Sequence, residues 1–387
     1  MNDIAISATN PCHLYDLAVA IHAHGRLGRY ISGYPRWRLK PASNFPLRAH
    51  SFRTVITYAA RRLPAGIRPS DSLLFRWQDH GFDRAAARSL QFSDGQSVHA
   101  MPGQALETFR RANEMGMLTV LNHASGPVRQ QLQIVEAEFD RARLSGQQHH
   151  AFDEAYFAQE AEEYALADFH CVASSVVQAQ LIKDGVSAER IWTIPYAANP
   201  SVFFPLDPPP PKRHVIVFAG QINLRKGIRI LLPAFRRVRA TFPEAELHCY
   251  GSPGPELDQA LPAWREEPGL KHFGPVSQNR LADAFRHAAA LVLPSWEEAF
   301  GLVVPQALQC GTPCVVSDQV GAKDLINLEV NGTVFSAGDI EALADALCWW
   351  LRNPGAFYHQ PFTWDDAARM LIATTRRATA PSSPTES

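Results

Sequence analysis

Pro294-Ser295-Trp296-Glu297-Glu298-Ala299-Phe300-Gly301-Leu302-Val303-Val304-Pro305-Gln306-Ala307-Leu308 follows an apolar run at 290–293, and the order of residue types reads as strand, short polar loop and apolar helix. Gly301 opens the helix, so the amides of Gly301 and Leu302 lack intrahelical partners and offer themselves to an anion such as phosphate. Glu298 stands in the same loop, close enough to accept hydrogen bonds from the hydroxyls of a sugar carried on that phosphate. A nucleotide sugar would satisfy both groups. The plainer role for Glu298, a solvated acid capping a helix, is set against the motif that surrounds it.

The same rhythm extends on both sides. Apolar runs at 215–219, 246–250, 270–273, 290–293 and 313–317 alternate with helical patterns at 227–242, 255–265, 279–287, 301–310 and 341–351, which predicts a parallel sheet covered by helices. Upstream, strands are expected near Ala5, Val55, Val98, Val120 and Cys171, with helices over 14–23, 104–115 and 156–167. A second doubly wound α/β domain is therefore expected there. Between the halves lies Pro205-Leu206-Asp207-Pro208-Pro209-Pro210-Pro211-Lys212, and consecutive prolines continue neither a helix nor a central strand. The organisation expected is a first domain over 1–204, a linker over 205–212, a second domain over 213–360, a helix over 361–378 and a frayed tail over 379–387.

A chain of 387 residues with 46% hydrophobic content can bury two ordinary cores. Its formal net charge of −1 gives no general affinity for nucleic acid. Six cysteines (Cys12, Cys171, Cys249, Cys310, Cys314, Cys348) are scattered through mostly apolar runs and read as reduced core residues of a cytoplasmic protein. Cys310 and Cys314 stand four apart without a second Cys or His pair at zinc-ligand spacing. Residues 1–8 read as a first strand rather than a signal peptide, and no window approaches the roughly 20 apolar residues of a membrane span.

Two further segments carry chemistry. Val217-Phe218-Ala219-Gly220-Gln221-Ile222-Asn223-Leu224-Arg225-Lys226-Gly227 runs from a strand through a glycine turn to a basic helix entrance, where Arg225 and Lys226 suit a diphosphate. Leu118-Thr119-Val120-Leu121-Asn122-His123-Ala124-Ser125-Gly126-Pro127 ends a strand with a histidine and a turn. Any of the 15 histidines could be a satisfied structural residue, and His149 and His150 in a polar loop are read that way, but His123 follows a strand.

On these segments, taken in this order, the chain resembles the family 4 glycosyltransferases, retaining enzymes of the GT-B fold in which two Rossmann-like domains face an interdomain cleft. The strongest likeness is at 295–318, which is similar to the family signature of a Glu, seven residues, a second Glu and a helix leading into a Gly-Thr-Pro strand. Here Glu298 is followed by seven residues and then Gln306, so an amide replaces the acid that would accept from ribose hydroxyls without its charge assistance. The resemblance implies that Gly220, Gln221, Arg225 and Lys226 form the diphosphate clamp. It further implies that Phe300, Gly301 and Leu302 line the phosphate turn and that His123 lies beside the reacting sugar carbon. It also implies transfer without a separate protein base and without an obligatory metal or cofactor. No DxD pair accompanies the motif, and Asp365-Asp366, at a helix start, read as caps. The Ser7–His13 loop lacks the relatives' glycine-rich sequence, so contacts by Asn10 and His13 are open, and Ala197 and Asn199 depart from the family's Pro-x-Gly-Val-Asp turn.

Between Arg26 and Arg76 eleven basic residues and one acid, Asp71, leave a local balance of +10, interleaved with Tyr30, Tyr34, Trp37, Phe45, Phe52 and Tyr58. That chemistry suits peripheral contact with an anionic membrane face or an anionic acceptor, and no nucleic-acid motif accompanies it. The function expected is transfer of a sugar from a nucleotide diphosphate to a glycan, lipid-linked saccharide or other hydroxyl acceptor. The alternative is a non-catalytic sugar-nucleotide-binding partner subunit or sensor, since Gln221 and Gln306 both depart from a charged pattern. A nicotinamide dehydrogenase would need a Gly-x-Gly-x-x-Gly turn that neither the first strand loop nor Gly220 supplies.

Overall fold

The computed structural model describes residues 3–64, 66–146, 152–354 and 362–380, so His149 and His150 lie outside the described residues, as does the end of the tail. Two parallel sheets organise the chain. The first contains β1 (Ile4–Ala8), β2 (Leu27–Ser32), β3 (Leu47–Ala49), β4 (Ser97–Ala100), β5 (Leu118–Asn122), β6 (Phe169–Val172) and β7 (Ile191–Thr193), in the order β3-β2-β1-β4-β5-β6-β7. The second contains β8 (Val215–Ala219), β9 (Glu246–Tyr250), β10 (Leu270–Gly274), β11 (Ala290–Leu293), β12 (Cys314–Ser317) and β13 (Gly332–Phe335), in the order β10-β9-β8-β11-β12-β13. Each sheet reverses its winding beside its first strand, between β1 and β4 and again between β8 and β11. Ligands of doubly wound sheets bind in the crevice at such a reversal, beyond the carboxyl ends of the strands.

Helices cover both faces of each sheet, so the central strands are buried along their length, as β1, β8 and β11 show. The two-residue side-chain period of β1 sends Ile4, Ile6 and Ala8 into one core with Leu14 and Leu371, and Ala5 into another with Ile31, Phe82 and Phe109. Phe218, Phe235, Phe285 and Trp350 anchor the core of the second sheet. The last helix, Trp364–Thr379, buries Ala367, Ala368, Leu371 and Ile372 in the first domain, beside the helix His13–Ala23. Thr363 and Asp366 close its start in a reciprocal capping box, which draws the Asp366 carboxyl below its ordinary range through the Thr363 hydroxyl and amide.

Four local expectations need correction. The segment around Val55 is the helix Phe52–Ala60, not a strand, although Val, Ile, Thr and Tyr favour strands; Thr54 and Thr57, three apart, turn inward together. The helix expected over 255–265 is reduced to Leu257–Ala260 and a single turn at Trp264–Glu266, because Pro262 has no amide to donate and crowds the preceding turn. The helix expected from Gly301 to Cys310 spans only Val303–Gln309. The final helix runs to Thr379, one residue into the expected tail.

Candidate functional site

The turn after β8 and the loop after β11 meet at the reversal point of the second sheet, and the reason is a glycine. Gly227 has φ +76°, and a Cβ built there would stand 1.9 Å from the Pro294 carbonyl oxygen. Only a residue without a side chain permits this approach. The Trp296 amide donates to the Arg225 carbonyl at 2.9 Å, fastening the two segments a second time. Within the turn, the Lys226 amide donates to Asn223 Oδ1 at 3.0 Å and the Leu224 amide to Glu256 Oε1 at 3.1 Å.

This packing brings Lys226 Nζ onto the Glu298 carboxylate as an ion pair, with both side chains largely buried. Burial pushes the Lys226 ammonium down from its usual 10.5 to about 7, the neighbouring Arg225 cation acts the same way, and the Glu297 carboxylate opposes it. Contact with Glu298 likewise favours the charged form. Arg225 itself is committed elsewhere: its Nη1 donates to the Glu297 carboxylate at 2.8 Å and to the Glu297 carbonyl at 3.1 Å. Glu297, 2% exposed, also accepts from Gln131 Nε2 at 3.0 Å. Arg225 thereby holds the loop in register through Nη1. Arg225→Ala is expected to cost about 2 kcal/mol of stability by stranding a buried carboxylate, seen as a lower thermal midpoint; an unchanged midpoint would remove this role.

Around the pair, Gly301 adopts φ +90°, with space for a Cβ limited by Leu293 Cδ2 at 2.9 Å and Glu298 Cγ at 3.2 Å. Val304 donates to the Gly301 carbonyl at 2.9 Å, which leaves the preceding turn amides ahead of the helix. Gln221, exposed after Gly220, accepts from Asn223 Nδ2 at 3.1 Å, and Gln306 is half-buried on the short helix. Phe300 is buried edge-on against Tyr196, ring centroids 5.0 Å apart.

His123 follows β5 as the sequence indicates, but its ring turns inward. Nε2 lies 2.9 Å from His170 Nδ1, the ring stands edge-on to Tyr164, and its carbonyl accepts from the Tyr196 hydroxyl at 3.2 Å. Burial and then the neighbouring His170 hold His123 well below the ordinary histidine range. It is a neutral imidazole at physiological pH, without a charge to offer a reacting centre.

Two features of the site are invisible to motif reading. Tyr196 stacks on His13, centroids 4.1 Å apart, with its hydroxyl 3.0 Å from His13 Nε2, so a column of Phe300, Tyr196 and His13 joins the two sheets. The helix Val128–Arg141 leans from the first domain onto the second: Gln131 reaches Glu297, Glu138 accepts from Arg229 Nε at 2.9 Å, and Arg141 lies over Trp296 at 4.5 Å. Ser174 Oγ adds a bond to the Ala299 carbonyl at 2.7 Å, directly beside Glu298. These contacts join residues far apart in sequence, and neither an isolated glutamine nor a second acid beside Glu298 signals them. Among the described residues no group of three or more His, Cys, Asp or Glu side chains is arranged to hold a metal ion.

Residues 213–353 match the family described as Glycosyl transferases group 1. Similar curated proteins include D-inositol 3-phosphate glycosyltransferases from Xylanimonas cellulosilytica, 28% identical over 56% of this chain and 59% of the relative, and from Mycolicibacterium paratuberculosis, 30% identical over 47% of this chain and 43% of the relative. The match thus spans about half the length of these relatives. Among solved structures, a sucrose-phosphate synthase from Thermosynechococcus elongatus superposes with TM-score 0.66 at 19% identity, covering 98% of this chain and 96% of the other. HepE of Anabaena, solved with UDP and glucose, superposes with TM-score 0.65 at 14% identity, covering 98% and 100%. At such identities the likeness establishes the fold, which is GT-B: two Rossmann-like α/β domains facing each other.

Proposed function

We propose that the protein is a retaining glycosyltransferase that moves a sugar from a nucleotide diphosphate to a hydroxyl of a glycan or lipid-linked saccharide. The observation that carries this reading is the Lys226–Glu298 pair, held at the winding reversal of the second sheet by the contact of Gly227 with Pro294. A cation beside the turn amides of Gly301 and Leu302 suits a pyrophosphate, and a carboxylate next to that cation suits the hydroxyls of the attached sugar. The names of similar proteins agree with it: the curated relatives are called glycosyltransferases, and HepE was solved with UDP and glucose.

In the proposed reaction the bond from the anomeric carbon to the phosphate oxygen breaks as the acceptor oxygen bonds to the same face of that carbon. The acceptor proton passes to the departing phosphate oxygen. Lys226 neutralises the charge that accumulates on that oxygen, and Glu298 orients the sugar. Gln306 accepts from the ribose through an amide oxygen, and Gln221 contacts the diphosphate without charge. His123, buried and neutral, shapes the wall beside the sugar rather than moving a proton.

The test is thermal stabilisation by UDP, GDP and ADP sugars, followed by release of nucleoside diphosphate with a panel of saccharide acceptors. One donor class is expected to stabilise the fold and to turn over. Stabilisation without turnover across the panel would favour the non-catalytic sensor or partner subunit, and no stabilisation by any donor would overturn the reading.

A further inference from the structure

The first domain carries a helix built inside out. In Phe52–Ala60 the residues turned inward are Thr54 and Thr57, whose hydroxyls find no partner, while Phe52, Val55, Ile56 and Ala59 share the outward face. Phe52 is 75% exposed. Hydroxyls under a helix and aromatic and aliphatic groups over it reverse the arrangement that water selects.

The reversed helix is not isolated. Nine of the nineteen exposed large hydrophobic residues among those described fall between Trp37 and Trp77, including Ile67 at 70% and Trp37 at 65% exposure. Specific contacts tie the helix Phe52–Ala60 to its neighbours. Tyr34, two residues ahead of the short helix Arg36–Leu39, packs edge-on against Tyr58, and Arg53 lies over Trp77 while donating to its carbonyl at 2.8 Å. Arg61 reaches Asp71, the local acid noted in the sequence, and also lies over Phe75. Arg36, Arg38, Lys40, Arg62 and Arg68 are exposed in the same stretch of chain, and among the described residues none of them enters an ion pair. The surface follows the carboxyl ends of β2 and β3, the edge of the sheet that also carries His13 and His123.

We propose that this face, centred on the helix Phe52–Ala60, docks the protein on an anionic lipid bilayer, with the helix lying in the plane of the headgroups. Charge complementarity selects that occupant: exposed aromatic and aliphatic side chains interleaved in sequence with exposed basic residues that enter no ion pair match apolar acyl chains beneath anionic headgroups. A second copy of this chain would set the same arginines against each other. The proposal goes beyond the transfer reaction and holds whether or not the chain moves sugar. If it does, docking sets the catalytic edge of the first sheet close to lipid-linked acceptors.

The test is co-sedimentation of the full chain with vesicles of phosphatidylglycerol and phosphatidylcholine in equal parts, against phosphatidylcholine alone. Binding is expected only to the anionic vesicles and is expected to fall steeply with added salt. The double variants Phe52→Ser with Ile56→Ser and Arg62→Glu with Arg68→Glu are each expected to lower the partition coefficient about tenfold or more at an unchanged thermal midpoint. If the serine variant fails to fold, the arginine variant and the salt titration decide the matter, since those side chains are exposed. Equal binding to both vesicle types, no binding to either, or light scattering that shows a dimer dispersed by the serine variant would overturn the proposal.

Discussion

Glu298→Ala is expected to lower kcat/KM for sugar transfer by about a thousandfold while nucleoside diphosphate affinity stays the same or tightens. In the free protein the Glu298 carboxylate neutralises Lys226 inside a largely buried pocket. A diphosphate that arrives there competes with that carboxylate for the ammonium, so the acid opposes binding of the bare leaving group. In the proposed reaction it contributes once a sugar is attached, by accepting hydrogen bonds that fix the anomeric carbon against the acceptor. The two effects separate cleanly: diphosphate binding reports the first and transfer reports the second. Glu298→Gln, which keeps the shape and one acceptor oxygen, should fall between wild type and alanine. Transfer by Glu298→Ala at the wild-type rate would remove this residue from the reaction.

The affinity for nucleoside diphosphate is expected to weaken as pH rises above neutrality, by up to about tenfold per pH unit between about pH 7.5 and 9. Phosphate is fully ionised in that window, its second ionisation lying near about 6, so the ligand does not change. The protein does. Burial lowers Lys226 from 10.5 to about 7, so in the empty site the ammonium loses its proton as pH climbs through that value. The bound diphosphate needs it charged, and each added pH unit then charges binding with restoring one proton. The sign for folding is opposite: the unfolded chain keeps its lysine protonated up to about 10.5, so the burden of burying this group eases as pH rises from about 7 toward that value. Lys226→Arg keeps a cation throughout the window and should bind with little pH dependence. Calorimetry across the range measures both, and a flat wild-type profile would show that Lys226 is not the group that titrates against the ligand.

The parts of the site legible in the sequence are those fixed by local order. Lys226 and Glu298 each lie shortly after an apolar run, in turns at the carboxyl ends of β8 and β11, and parallel strands side by side in a doubly wound sheet bring such turns together. What sequence order could not show is set by contacts across the chain. Arg225 reads as a second phosphate ligand beside Lys226, and only folding reveals that its Nη1 also donates to Glu297, 72 residues on. His123 stands where its register puts it, yet its ring direction depends on His170 one strand away. The Phe52–Ala60 segment misleads for a different reason: its β-branched and aromatic residues favour a strand, while its packing keeps two threonines inside and makes it a helix. The edge strand β13 is short and only half-buried at its centre, so it lacks the apolar run that marks the central strands.

Titrating UDP, GDP and ADP into the wild-type protein and into Lys226→Met by calorimetry at pH 7 tests most directly whether the turn after β8 and the loop after β11 form a diphosphate site. Methionine fills the volume of the lysine stem without its charge; the stranded Glu298 carboxylate is expected to lower the thermal midpoint, so binding is compared well below the midpoint of the variant. The account predicts that one nucleotide binds the wild type and that the variant loses about a hundredfold in affinity for it. Equal affinity of the two proteins for that nucleotide would contradict it.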